Sequence, residues 1–259
     1  MKRFMAAFVL VLFAAPCKAA LSPKQLRSAI LDPVAGAALP LETKFASSTG
    51  AALSLNEAIG DKPAALILVD YTCRFICGTT LAIAAYGLAT TGLEPGKDFA
   101  FVVIGIDPKD KPADAKAMKD AQLAPYPRLQ AAARFLNGDA AATASVTKAL
   151  NYTPVYDAET DDYAHPVGAV ILTPDGRVSR VISGLNLNPE SFKAALVDAG
   201  RGSFSSLVEG IRLLCYGHSP LHGAYASTVG AALAVGGVLT LAAIAGAAVL
   251  FAKRGGHPS

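Results

Sequence analysis

Two apolar runs, Ala64–Val69 and Phe99–Ile106, constrain the fold of this chain more than any other feature. Each is short and apolar with little alternation, the pattern of a strand buried on both faces. Between them, Thr79–Ala89 carries Leu81, Ala84, Ala85 and Leu88 at helical spacing, with Gly92 beyond its end. Strand, helix and strand in that order make a β-α-β unit, which predicts parallel strands and a right-handed crossover. Downstream, Pro112–Leu123 reads as a helix, and Ala141–Leu150 as another of weaker pattern. Val167–Leu172 and Arg177–Ser183 read as strands joined by Thr173-Pro174-Asp175-Gly176, where proline presets φ and glycine takes the positive-φ position. Asn188 caps a last helix that has Pro189 at its first position and runs to Gly200.

The order β-α-β-(α)-β-β-α is that of an α/β, thioredoxin-like fold. Both ends of the chain carry targeting signals besides. Met1-Lys2-Arg3 leads into an apolar run from Phe4 to Pro16, then small residues at Ala19-Ala20. A basic head, a short apolar core and a small residue at the cut site describe a secretory signal peptide, cleaved after Ala19. The core is too short to span a bilayer, which takes roughly 20 apolar residues. Lipidation of Cys17 is the other reading of this end, and Pro16 just before it fits that poorly. At the far end no charge appears from Gly223 to Ala252, and Lys253-Arg254 follow at once. That length and polarity fit a transmembrane helix with its basic flank on the cytoplasmic side.

The expected layout is a signal peptide at 1–19, the thioredoxin-like domain at 20–203 and a membrane-proximal segment at 204–223. A single transmembrane helix at 224–252 and a short cytoplasmic tail at 253–259 complete it. The main domain would then lie on the periplasmic side of the inner membrane. A net charge of +3, without a basic run interleaved with aromatics, argues against nucleic acid as a partner.

Removal of the signal peptide leaves Cys73, Cys77 and Cys215. Cys73 and Cys77 form a Cys-x3-Cys motif where Ala64–Val69 gives way to the helix, the place where a thioredoxin-like fold keeps its reactive thiols. The partial charge of the helix N-terminus and nearby Arg74 both favour thiolate. His165 precedes Pro166 on a loop leading into Val167–Leu172, and in this fold the loop before the third strand faces the dithiol. Two thiolates and one imidazole make a soft ligand set. Structural zinc wants four protein ligands in a closed tetrahedron, whereas copper(I) accepts two or three soft ones. Copper(II) would bind where an extra oxygen or nitrogen completes the site. A plain structural disulfide is the competing reading, and so short a loop would constrain little of the unfolded chain. Asp70 is a candidate outer-shell carboxylate, although ending the strand accounts for it, and Asp107-Pro108 reads as a turn.

Four segments carry a family likeness: Tyr71-Thr72-Cys73-Arg74-Phe75-Ile76-Cys77, Gly105-Ile106-Asp107-Pro108, Tyr163-Ala164-His165-Pro166 and Thr173-Pro174-Asp175-Gly176-Arg177. In these the chain resembles the SCO/SenC family of membrane-tethered copper proteins that help assemble cytochrome c oxidase. The resemblance covers most of the mature chain. It implies that Cys73, Cys77 and His165 are the copper ligands and that the recipient is the binuclear copper centre of oxidase subunit II. Other periplasmic copper carriers are implied as partners. Leu213-Leu214-Cys215-Tyr216 resembles the membrane-proximal signature of one long branch. Arg74 and Gly78 depart from the family, which often has proline after each motif cysteine. The ligands survive both changes; loop stiffness and redox potential are what they put in question.

The expected function is therefore a membrane-anchored metallochaperone that passes copper on by ligand exchange, rather than an enzyme. The alternative is a thiol–disulfide oxidoreductase, with Cys73 and Cys77 as its redox pair, that reduces the cysteines of an oxidase subunit. The three-residue spacer and the added His165 argue against it. A peroxiredoxin-type peroxidase would need a threonine three residues before its reactive cysteine, whereas Thr72 adjoins Cys73. A sensor would need more output than the tail Lys253–Ser259 offers. Cys215, His218 and His222 form C-x2-H-x3-H, on spacing alone half of a zinc site or a copper-loading point. With no fourth ligand nearby, Gly217–Gly223 reads as an irregular turn at the membrane surface.

Overall fold

The computed structural model describes residues 21–73, 76–204, 214–215 and 226–254. The expected signal peptide, Arg74, His218, His222 and the residues beyond Arg254 lie outside the described residues. The larger compact unit is Ala20–His218. It opens with α1 (Pro23–Ser28), β1 (Ile30–Leu31), β2 (Lys44–Ser47), β3 (Ala52–Ser54) and α2 (Leu55–Ile59). Capping boxes start both helices: Ser22 with Gln25, and Ser54 with Glu57, each satisfying backbone N–H groups the helix cannot.

The β-α-β unit follows as β4 (Ala64–Val69), α3 (Cys77–Ala89) and β5 (Ala100–Gly105). The two strands are parallel, paired from Ala64 with Ala100 to Val69 with Gly105. Next come α4 (Pro112–Leu123), α5 (Pro127–Ala132), β6 (Arg134–Asn137) and α6 (Ala140–Ala149). Three short strands, β7 (Tyr152–Thr153), β8 (Val155–Asp157) and β9 (Asp162–Pro166), precede the hairpin of β10 (Gly168–Leu172) and β11 (Val178–Ser183). The chain closes with α7 (Pro189–Gly200), β12 (Leu214–Cys215) and α8 (Ala226–Arg254).

Seven strands form the main sheet in the order β11-β10-β4-β5-β6-β2-β3. β4, β5 and β6 are parallel, and β10 runs antiparallel to β4. Every residue of β4 and β5 is buried, because helices cover both faces. Ala65, Ile67 and Val69 pack on one side with Leu81, Ala84 and Leu88 of α3 and Phe192 and Leu196 of α7. Ala64, Leu66 and Leu68 pack on the other with Leu55 and Ile59 of α2 and Val146 of α6. Two-sided burial is why these runs show no alternation. The architecture is the expected thioredoxin-like α/β layer structure, with extra strands at the β6 edge.

Two close fits hold the layers in register. At Gly87 a β-carbon would lie 2.6 Å from the Leu187 carbonyl oxygen and 2.9 Å from the Phe192 ring, so the absence of a side chain lets α3 and α7 meet. In the β10–β11 turn, Gly176 has φ +73° and its N–H donates to the Thr173 carbonyl at 2.9 Å, as the turn sequence requires.

Two expectations change. His165 lies in β9 rather than on a loop, the strand ending at Pro166. The segment 204–223, expected to lie at the membrane, contributes the short strand β12, paired with β9. Taken by itself, α8 is a helix of 29 residues whose described side chains, at 231–247, are exposed, Leu233, Val238 and Leu239 among them. Among the described residues no helix is long and apolar enough to cross a membrane.

Candidate metal centre

The C-terminal end of β4 leads directly into the cysteine motif. Val69 ends the strand, Asp70 and Tyr71 turn the chain, and the Cys73 N–H donates back to the Asp70 carbonyl at 3.4 Å. Ile76 then caps α3 without a side-chain bond, so Cys77 is the first helical residue, where the helix dipole favours a thiolate. Cys77 is buried in the core beside Leu81, while Cys73 is half-buried and packs at the edge of the same cluster.

β9 brings the imidazole. His165 is only 2% exposed, and its Nε2 lies 3.2 Å from the Cys77 Sγ. Its Nδ1 lies 3.1 Å from the Pro166 carbonyl oxygen. A carbonyl only accepts, so Nδ1 carries the proton and donates, which leaves Nε2 to accept from the Cys77 S–H. That backbone bond is the orienting contact found behind metal-binding histidines. Burial holds the imidazole below the usual histidine range, opposed in part by the Pro166 carbonyl and by the charge of nearby Cys73. A neutral imidazole is the form that ligates.

Of the three sequence-derived site residues, Cys77 and His165 are thus in contact, with Cys73 beside them. Among the described residues no three His, Cys, Asp or Glu side chains converge into a ready-made cation site. The donor set nevertheless suits a soft ion: one sulfur and one oriented nitrogen sit buried together, with a second thiol within the same short loop.

A carboxylate group lies behind the loop, most of it not evident from the sequence. Thr72 Oγ1 donates to Asp70 Oδ1 and Asp110 Oδ1 at 3.1 and 3.2 Å, and the Tyr71 N–H donates to Asp110 Oδ2 at 3.0 Å. Asp70, expected to end the strand, is 1% exposed, and its Oδ2 has no hydrogen-bond partner among the described residues. Burial raises its carboxyl above the ordinary range. Burial also pushes Asp110 up to about 7, with the charges of Asp70 and Asp107 adding and the Tyr71 bond opposing. The turn reading of Asp107-Pro108 did not extend to Asp110.

A pH dependence follows for Asp110. Its folded-state value lies above the ordinary 3.8, so the folded chain keeps a proton there that the unfolded chain gives up. The resulting stabilisation is full below about pH 4 and is lost as pH rises through about 7. Asp110→Asn, which mimics the protonated form, should give a shallower decline in the urea midpoint between pH 4 and 8. An unchanged slope would show that Asp110 ionises normally.

Lys109 ties the two halves of the site together. It pairs with Asp107 at 3.4 Å, pairs with Asp161 on the β8–β9 connection, and lies 5.1 Å from the Tyr156 ring centroid. Tyr156 donates to the same Asp161 at 2.6 Å. The loop after β5 is thereby fastened to the hairpin that carries His165.

The comparisons with known proteins agree with this architecture. A sequence model of the SCO1/SenC family matches residues 43–199. Among solved structures, a protein of Aquifex aeolicus VF5 named for electron transfer is 22% identical, covers 70% of this chain and 100% of its own, and superposes with a TM-score of 0.57. A second from the same organism, named for electron transport, is 23% identical over 66% of this chain and 100% of its own, with a TM-score of 0.55. Arabidopsis thaliana ScoI with copper bound is 17% identical over 61% of this chain and 96% of its own, with a TM-score of 0.50. At these identities the structures speak to the fold. No curated protein sequence matches. The family match takes in more than half of the chain, from β2 through α7, and includes Cys73, Cys77 and the histidine that meets Cys77: the chain belongs to the SCO1/SenC family.

Proposed function

We propose that this protein holds copper(I) at Cys73, Cys77 and His165 and supplies it to cytochrome c oxidase, whose binuclear copper centre in subunit II is the recipient. The observation that carries the reading is the buried contact between Cys77 Sγ and His165 Nε2, with Nδ1 already committed to the Pro166 carbonyl. A thiol exchanger has no need of an oriented imidazole against its buried sulfur; a soft-metal carrier does. Copper(I) would leave by ligand exchange, the incoming thiolate of the acceptor replacing one of these donors. In the relative from Arabidopsis thaliana, copper is the ion bound.

The anchor is part of the same proposal. The sequence carries no charge from Gly223 to Ala252, then Lys253-Arg254, and the signal-like Met1–Ala19 would export the domain. A carrier tethered at the periplasmic face of the inner membrane needs to search only two dimensions for a membrane-bound acceptor.

The test is an anaerobic copper(I) titration of the full chain in detergent. One tightly held copper per chain, lost in the Cys73→Ser, Cys77→Ser double variant, is the expected result. No tight copper, with a Cys73–Cys77 disulfide that exchanges readily with glutathione, would assign the protein to the oxidoreductases instead.

A further inference from the structure

β9 sits in the middle of a second, three-stranded sheet of order β12-β9-β8. Its register with β12 is antiparallel and places Leu214 opposite Pro166 and Cys215 opposite His165. Directly opposed positions on antiparallel strands share one face of the sheet, with about 5 Å between their β-carbons. Position 215 is therefore on the face of β9 that carries His165, whose imidazole meets Cys77 at 3.2 Å. The register therefore sets position 215 beside the strand position that presents His165 to the cysteine motif. Cys73 and Cys77 come from the β4–α3 junction, and Cys215 comes from the segment that precedes α8.

From this juxtaposition we infer that Cys215 is a further ligand of the copper ion, closing the three-donor set with a third sulfur. The inference rests on the copper reading given above. A soft ion with two thiolates and one imidazole readily accepts another thiolate, and no change of oxidation state is involved: a sulfur–proton bond is exchanged for a sulfur–copper bond, with the proton leaving to solvent. Cys215 also differs from the other donors in how it is held. Cys77 belongs to a core helix, whereas β12 is two residues long, so its ladder to β9 has few bonds to lose. Strands this short open at little cost. Cys215 is accordingly the donor that comes off first, and its departure reopens a coordination position for the acceptor's thiolate.

The experiment compares the full-length protein with Cys215→Ser, both loaded with copper(I) in detergent without oxygen. X-ray absorption should count three sulfurs and one nitrogen in the parent and two sulfurs and one nitrogen in the variant. Competition with a chromophoric copper(I) chelator should show affinity lower by about tenfold or more, since a direct ligand matters at least as much as an outer-shell partner. A second measurement needs no variant: peptide-mapped alkylation of Cys215 in the parent should slow about tenfold on copper loading, because a bound thiolate is a poor nucleophile. Two sulfurs and one nitrogen in both proteins, or alkylation of Cys215 indifferent to copper, would overturn this inference and leave the Cys73, Cys77 and His165 site standing. A parent that binds no copper(I) would overturn both.

Discussion

Replacing His165 with alanine is expected to lower copper(I) affinity by at least about 100-fold, beyond the ~10–100-fold that loss of an outer-shell partner brings. The reason is the buried pairing of its Nε2 with Cys77 Sγ, fixed by the Pro166 carbonyl behind it. The fold should persist, since β9 is held by backbone pairing with β8 and β12 rather than by the imidazole. Chelator competition gives the affinity, circular dichroism checks the fold, and X-ray absorption should lose its nitrogen neighbour. Unchanged affinity together with active thiol exchange in this variant would remove His165 from the ligand set.

Gly87→Val should be among the most destabilising single changes in the domain, by about 3 kcal/mol. Helix propensity alone predicts the opposite sign for replacing glycine, by up to ~1 kcal/mol for alanine. Packing decides the matter. A β-carbon there would stand 2.6 Å from the Leu187 backbone oxygen, which no rotamer change can move, and 2.9 Å from the fully buried Phe192. α3 would have to lift away from α7, and α3 is the helix that seats Cys77. Urea unfolding measures the loss, with Gly87→Ala expected to fall between the parent and the valine variant. A variant as stable as the parent would mean that α7 shifts aside without cost.

What the sequence revealed and concealed follows from the range of each signal. α4 and α7 run over the residues expected, Pro112–Leu123 and Pro189–Gly200, because proline at the first position and a capping residue such as Asn188 are local marks. β4 was equally legible, as two-sided burial writes six apolar residues in a row. α3 starts at Cys77, earlier than the apolar spacing indicated, because its first turn carries Gly78, Thr79 and Thr80. The β8–β9 hairpin left no such mark. Val155–Asp157 and Asp162–Pro166 are short, and Glu159, Thr160 and Asp161 between them are polar, so neither alternation nor a standard turn shows. Pro166 then argued against a strand, although it only ends one. The roles of Asp110 and Lys109, and the register of Cys215 against His165, depend on pairings between distant segments that no local pattern encodes.

The site straddles two sheets, and this has a consequence for how the molecule breathes. Cys77 is anchored through α3 to the seven-stranded sheet, whose central strands are wholly buried. His165 belongs to the small sheet of β12, β9 and β8, whose outer members have two and three residues. Amide hydrogens of β4 and β5 should therefore exchange with deuterium only through global unfolding, while those of β9 exchange through a cheaper local event. The two halves of the site then have separate opening clocks, and the histidine side keeps the faster one. A metal held across both halves would need only the small sheet to part, with the core that seats Cys77 left intact.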